Sequence, residues 1–102
     1  MKHYRVILTP NAMSDIEEAW AWLHDQNPVV AKQWRDGLRD KILDLATLPE
    51  RHAIAPESAA FDTEIRQMFF GRGIPWRVFY CIGDDQVTIL HIRHARREDW
   101  QP

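Results

Sequence analysis

The last part of the sequence carries a high density of side chains that hold or transfer charge. Its stretch ILHIRHARREDW places two histidines and three arginines within seven positions: His91, Arg93, His94, Arg96 and Arg97. Imidazole groups titrate near neutral pH and act as acid or base, and guanidinium groups bind phosphate oxygens through paired hydrogen bonds. The stretch therefore indicates either a solvated strand end or a site that receives an anion.

Three more arginines lie on or beside the strands expected to precede this stretch. Arg77 falls within the run PWRVFYCI, Arg66 within EIRQMFF, and Arg72 in the turn between them. If the last two strands pair as a hairpin, the end of the last strand lies opposite the start of PWRVFYCI. Arg77 and the His94 region are then neighbours, and neither Arg77 nor Arg97 is expected to contribute to the core.

An ordinary structural role is an alternative for each of these residues. The strand arginines can serve as solvated groups on a sheet edge. Arg96 and Arg97 are followed at once by Glu98 and Asp99, so this segment can neutralise its own charge. We expect His91 to be an exposed or packing residue rather than a catalyst.

Tryptophan is abundant for so short a chain, with five in the sequence. Trp22 lies off the apolar stripe of its predicted helix, and Trp100 lies near the end of the sequence. Exposed large aromatic side chains are typical of protein interfaces. Both tryptophans are therefore candidates for contact with a protein partner.

Composition limits the classes of function. At 102 residues the chain has the length of one domain, and its 45% hydrophobic content excludes a disordered protein. A net charge of -2 argues against nucleic-acid binding by the whole surface, so any anion site is a local patch. Cys81 is the only cysteine, which excludes an internal disulfide or a cysteine-based zinc site and is typical of cytoplasmic proteins. We expect no metal, no cofactor and, without an apolar run of about 20 residues, no membrane span.

The first half of the sequence predicts one strand and two helices. YRVIL, residues 4–8, is rich in strand-forming residues. Thr9 and Pro10 then predict an N-cap and a first helical turn, although Ser14 with Glu17 offers a competing start. The apolar stripe of this helix is predicted at residues 13, 16, 20 and 23, with an end near residue 26. Asn27-Pro28 predicts the start of a second helix that continues to residue 48.

The second half of the sequence predicts a loop and then an antiparallel meander. Residues 50–63 show no sustained period, and the segments EIRQMFF, PWRVFYCI and QVTILHIRHA alternate as strands. The predicted fold class is α+β, in the order β-α-α-β-β-β, with a helical hairpin packed on one face of a mainly antiparallel sheet. In the last strand, Leu90 and Ile92 are expected to face the helices.

Four segments of this chain follow a known pattern: TPNAMSDIEEAWAWL, LRDKILDLATLP, EIRQMFFGRGIPWRVFYCI and VTILHIRHARR. Together they resemble the RelE/ParE superfamily of toxins from bacterial type II toxin–antitoxin modules, over residues 4–97. The strand Arg77–Tyr80 and the run His94–Arg97 are the most specific parts. The resemblance implies a cognate antitoxin as partner and a target that is either DNA gyrase or the ribosome with its mRNA.

The two branches of this superfamily imply different chemistry. In RelE-like mRNA endonucleases, the positions of Arg77, His94 and Arg97 (or Arg96) carry catalytic groups, so these residues are the catalytic candidates if the chain is a nuclease. Arg66, Arg72, Arg96, Trp22 and Trp100 are the candidates for binding target or antitoxin.

This sequence departs from the nuclease pattern. No lysine follows Lys41, Trp100 stands near the place of a C-terminal tyrosine, and the net charge is negative. We therefore expect ParE-like inhibition of gyrase, with the nuclease as the alternative. A protein that has lost toxicity and survives as a binding module is a further alternative.

Overall fold

The computed structural model describes residues 1–73 and 75–96. Its helices and strands follow the predicted order: β1 (Arg5–Leu8), α1 (Pro10–Gln26), α2 (Pro28–Leu43), β2 (Arg66–Phe70), β3 (Trp76–Ile82) and β4 (Gln86–His94). Short 3₁₀ helices at Asp44–Ala46, Pro49–Arg51 and Pro56–Ala60 lie between α2 and β2. In the described ranges, no helix is long and apolar enough to cross a membrane.

The predicted caps fix the helical hairpin. Thr9 Oγ1 accepts a hydrogen bond from the N–H of Ala12 at 3.1 Å, and Pro10 is the first helical residue, so the competing start at Ser14 is not used. Asn27 ends α1 and begins α2, because its N–H donates to Leu23 while its side chain accepts from the start of α2. A connection of one residue forces the two helices to lie against each other.

The end of the second helix differs from the prediction. Regular α-helix stops at Leu43, and a 3₁₀ turn over Asp44–Ala46 follows. Leu48 then adopts a left-handed backbone conformation with φ of 47°, directly before Pro49. The residue before a proline is disfavoured in the α region, so the helix cannot continue through Leu48. The spacing of apolar residues in the sequence therefore extends past the residue at which the helix ends.

The strands form one four-stranded sheet in the order β1-β4-β3-β2. β1 runs parallel to β4, from Arg5 opposite Gln86 to Leu8 opposite Ile89, and the other two pairs are antiparallel. The predicted α+β fold with a mainly antiparallel sheet is thus confirmed. The helical hairpin packs on one sheet face, where the main core contains Ala12, Leu38, Ile42, Leu45, Met68, Val78, Tyr80, Val87, Ile89 and Ile92.

The fully buried residues of α1 are small. Ala12 and Ala19 are buried, whereas Met13, which we placed on the apolar stripe, is 53% exposed. Alanine allows a helix backbone to approach its neighbour closely, and a longer side chain at the same place needs more room. The prediction for Met13 was wrong because the buried face is centred one position away.

A β-bulge changes the alternation of β4. Phe79 lies opposite His91 and Tyr80 lies opposite Ile89, so Leu90 is an extra residue in the ladder. Ile89 and Ile92 therefore both face the helices, while Leu90 packs on the other side of the sheet. The prediction is confirmed for Ile92 and wrong for Leu90, since one inserted residue reverses the strict alternation.

The sheet face opposite the helices, called the far face below, is also covered in part. Ala55, Ile65 and Phe79 form a second buried cluster there, with Phe61 and Leu90 packed against it. The covering residues come from the segment between α2 and β2, which was predicted as a loop. The far face is therefore not an open platform around the middle of β3.

Candidate functional site

Arg77, the strand arginine of the predicted site, is committed to an ion pair on the far face. Its two terminal nitrogens donate to Glu57 Oε1 and Oε2, both at 2.6 Å, and Gln67 Oε1 accepts two further bonds at 2.7 and 3.0 Å. The side chains of Arg77 and Glu57 are 12% and 1% exposed. Arg77 belongs to neither apolar core cluster, but its side chain is largely buried, because its guanidinium neutralises a buried carboxylate.

The position of Glu57 follows from the local backbone. Pro56 opens the short 3₁₀ helix that carries Glu57, and the N–H of Ala55 donates to Ile65 at 2.8 Å. At the other end of this segment, Ser58 Oγ accepts from the N–H of Ile65 at 2.9 Å. Sequence analysis missed Glu57, because a carboxylate in a segment without period gives no sign of its partner 20 residues away.

Arg77 and His94 lie on neighbouring strands but on opposite sheet faces. Trp76 is the register partner of His94, and Arg77 is the partner of Arg93, so the predicted proximity is confirmed. The His94 ring meets the Trp76 ring edge-on at 5.2 Å, on the helix side, whereas Arg77 contacts Glu57 on the far face. The two side chains therefore do not converge on one reacting group.

The remaining basic candidates are dispersed. Arg66 is mostly buried, and its guanidinium donates to the carbonyls of Glu50 and His52 and to the Glu64 carboxylate. Arg72 and Arg96 are exposed, in the β2–β3 turn and in the turn after β4. Two more candidates, Arg97 and Trp100, lie outside the described residues.

A histidine–carboxylate pair that the sequence did not indicate joins α1 to β4. His91 Nδ1 donates to Asp15 Oδ2 at 2.9 Å, and the same oxygen accepts the N–H of Ile92 at 2.9 Å. β1 ends opposite Ile89 while β4 continues to His94, so α1 takes the place of a neighbouring strand along this part of β4. Asp15 satisfies a backbone donor that would otherwise lack a strand partner.

The gap between α1 and this end of β4 is a cavity of about 450 Å³, called the α1–β4 cavity below. Its lining residues are Asp15, Glu18, Ala19, Trp22, Trp76, Ile92, Arg93 and His94. Trp22 is 61% exposed, which agrees with its predicted place off the apolar stripe. The cavity thus combines indole rings with carboxylates, and His94 is the one catalytic candidate that borders it within the described ranges.

The titratable groups with displaced pKa values lie elsewhere. Burial lowers the pKa of His52, and burial raises the pKa of Tyr80 to about 12 and also that of the Cys81 thiol. None of these three residues lines the α1–β4 cavity. In residues 1–73 and 75–96, no group of three or more histidine, cysteine or acidic side chains is placed to hold a metal ion.

Two comparisons with known proteins gave matches over most of the chain. The family model described as "ParE toxin of type II toxin-antitoxin system, parDE" matches residues 6–99. A solved structure of the chromosomal ParDE TA system from P. aeruginosa superposes with a TM-score of 0.76 at 14% identity, covering 92% of this chain and 98% of that one. At this identity the superposition supports the fold alone. A comparison with curated protein sequences gave no match.

Proposed function

The chain belongs to the ParE toxin family of type II toxin–antitoxin systems, and we propose that it arrests growth by acting on DNA gyrase and is neutralised by a cognate antitoxin. The antitoxin is expected to be encoded beside the toxin. Both the toxin and its target would then act in the cytoplasm. The ribosome-dependent nuclease alternative is not favoured, since the family model that matches is that of ParE.

The observation that carries a binding function, rather than RNA cleavage, is the ion pair between Arg77 and Glu57. Cleavage through the 2′-OH needs a base, an acid and a cation at one phosphate. Arg77 is 12% exposed and neutralised by Glu57, and His94 lies on the other sheet face. Arg77 and His94, the two described catalytic candidates, therefore do not meet around one phosphate.

Exposed apolar side chains support a protein partner. Trp22, Met13, Leu43 and Phe69 are each more than half exposed. Large exposed apolar side chains are typical of surfaces that another protein covers. A segment of the antitoxin that folds on binding can cover such dispersed side chains, because an extended chain wraps a large surface.

The two targets are separated by inducing the protein and following two readouts together. We expect induction of the DNA-damage response and loss of gyrase supercoiling with the purified protein, without codon-associated cleavage of a translated message. Co-expression of the adjacent open reading frame should relieve growth arrest and yield a complex. Cleavage of message without a damage response would establish the nuclease instead, and the absence of both would indicate that toxicity has been lost.

A variant of His94 tests the chemistry directly. Glutamine keeps a polar side chain of similar size but cannot act as an acid or base near neutral pH. We expect His94→Gln to retain full toxicity. A loss of toxicity in a variant that stays folded by circular dichroism would argue for proton transfer by His94 and against a purely binding toxin.

A further inference from the structure

A short stretch before β2 covers the outer edge of the sheet. Residues 50–55, called the edge segment below, run beside β2, and Ile54 forms an antiparallel bridge with Arg66. Two backbone hydrogen bonds join the segment to the strand: the N–H of Ala55 donates to Ile65 at 2.8 Å, and the N–H of Gln67 donates to Ala53 at 3.0 Å. β2 is the last strand on this side of the sheet, so these bonds satisfy backbone groups that an open edge would leave unpaired.

Side-chain hydrogen bonds from one arginine also hold the edge segment. The Arg66 guanidinium donates to the carbonyl of Glu50 at 3.1 Å and to that of His52 at 2.7 Å. Most residues of the segment are exposed, and Ile54 is 50% exposed. Segments with few buried apolar contacts can open without unfolding of the whole domain. The edge segment is therefore suited to local opening.

His52 makes the edge segment sensitive to acid. Its Nε2 atom is buried and has no hydrogen-bond partner. The His52 ring meets the Tyr80 ring edge-on, with ring centroids 6.4 Å apart, and the Tyr80 hydroxyl donates to the carbonyl of Pro49 at 2.6 Å. A protonated imidazole has an N–H on both ring nitrogens. While the segment lies against β2, protonation therefore buries a charged N–H without an acceptor, which is unfavourable.

Three cations around His52 oppose a further positive charge. Burial lowers the pKa of His52 most, and the positive charges of Arg51 and Lys41 lower it further. Arg66 adds a third cation from β2, since its guanidinium bonds to the His52 carbonyl. Protonation of the ring therefore adds charge to a region that is already positive.

The carboxylates of this region are not available to offset that charge. Asp44 acts to raise the pKa of His52, but Arg51 lies 3.9 Å from its carboxylate. Glu64 pairs with Arg66 at 3.0 Å, and Glu50 is exposed. In the described ranges, the His52 ring makes no hydrogen bond with any of the three. Movement of the ring into water is the remaining way to solvate its charge.

We propose that the edge segment is an acid-sensitive cover of the β2 edge. Protonation of His52 favours an open state in which the ring reaches water and the backbone groups of Ile65 and Gln67 are exposed. The open state binds the proton first, because burial lowers the pKa of His52 only in the closed state, so opening increases as the pH falls below about 6.5. This inference goes beyond the proposed function and depends on neither gyrase nor the antitoxin.

The opening is measured by amide hydrogen exchange of the full-length protein, followed by NMR. The N–H groups of Ala55 and Gln67 report on the edge segment, and those of Tyr80 and Ile89 report on the core strands. We expect Ala55 and Gln67 to exchange through a smaller opening, with less protection than Tyr80 and Ile89. Their protection factors should fall by about threefold or more between about pH 7.5 and about pH 5.5, on either side of the ordinary pKa of histidine.

Two histidine variants separate His52 from other titrating groups. His52→Gln keeps a polar side chain that does not titrate, and His24→Gln makes the same change at an exposed position of α1. We expect His52→Gln to abolish the pH dependence at Ala55 and Gln67, and His24→Gln to leave it unchanged. The same pH dependence in His52→Gln would overturn the proposal. So would exchange of Ala55 and Gln67 at the rate of the core amides in the unmodified chain, because the edge segment would then open only when the whole domain unfolds.

Discussion

Replacing Arg77 by methionine should remove a substantial part of the free energy of unfolding of this domain. Methionine keeps much of the apolar stem of arginine but removes the guanidinium that contacts both oxygens of the Glu57 carboxylate, which is 1% exposed. Removing one partner of a buried ion pair costs about 3–5 kcal/mol. Whole domains are stable by about 5–15 kcal/mol, so the variant is expected to be marginal at 37 °C or, at the low end of that range, unfolded.

The second substitution separates the ion pair from packing. Replacing Glu57 by methionine in the Arg77→Met background removes the buried carboxylate as well and fills the same space with an apolar side chain. Buried ion pairs exchanged for apolar side chains of similar volume are often neutral in stability. Gln67 still loses the guanidinium that it accepts from, at a cost of about 1–3 kcal/mol. The double variant should therefore be more stable than Arg77→Met and somewhat less stable than the unmodified chain.

The free energy of unfolding is measured by urea denaturation followed by circular dichroism. Arg72→Met, at an exposed turn position, is the control and should change the free energy by less than about 0.5 kcal/mol. A cost below about 1 kcal/mol for Arg77→Met, or a double variant less stable than the single one, would refute the assignment of Arg77 as the neutralising partner of Glu57. If an Arg77 variant loses toxicity, loss of folding must therefore be excluded before the effect is assigned to a functional site.

Three further outcomes follow from the structure. Asn27→Ala should lower stability by about 1 kcal/mol, because Asn27 Oδ1 caps α2, and Asn11→Ala within α1 should not; equal effects would exclude a capping role. Burial lowers the pKa of His52 below 6.5, so the unfolded chain binds the proton first and stability should fall as the pH drops below about 6.5; a His52→Gln variant with an unchanged slope would contradict this. Burial raises the pKa of Tyr80 to about 12, so stability should fall between about pH 10 and pH 12, as the unfolded tyrosine ionises first, and Tyr80→Phe should abolish that loss in urea titrations.

The parts of the fold that depend on local chemistry were predictable. Thr9-Pro10 and Asn27-Pro28 each place a capping side chain directly before a proline, and both helices begin there. Caps and fixed proline dihedrals act within a few residues of the chain, so the sequence alone contains the information. The order of the strands followed from alternation and turn residues in the same way.

The parts that depend on distant contacts were not predictable. The bulge at Leu90 reverses strand parity, and nothing in the alternation of β4 indicates an inserted residue. Glu57 accepts hydrogen bonds from Arg77, and Asp15 accepts them from His91 and from the N–H of Ile92. In each case the partner lies on a distant element. The type of a residue shows which interactions its side chain can make, whereas the fold determines which partner lies within reach. The partner of Arg77 was missed for this reason, since Arg77 was chosen by its residue type.

The central place of β4 in the sheet governs how the chain folds. β1 and β3 are joined only through β4, although β1 begins at Arg5 and its partner residues begin at Gln86. Contacts of such high sequence separation raise the contact order and slow the search for the native topology. During synthesis, the N-terminal strand and helical hairpin emerge long before the strand that completes their core. The toxin surface therefore matures after synthesis of nearly the whole domain, and a shortened product that lacks β4 has no continuous sheet.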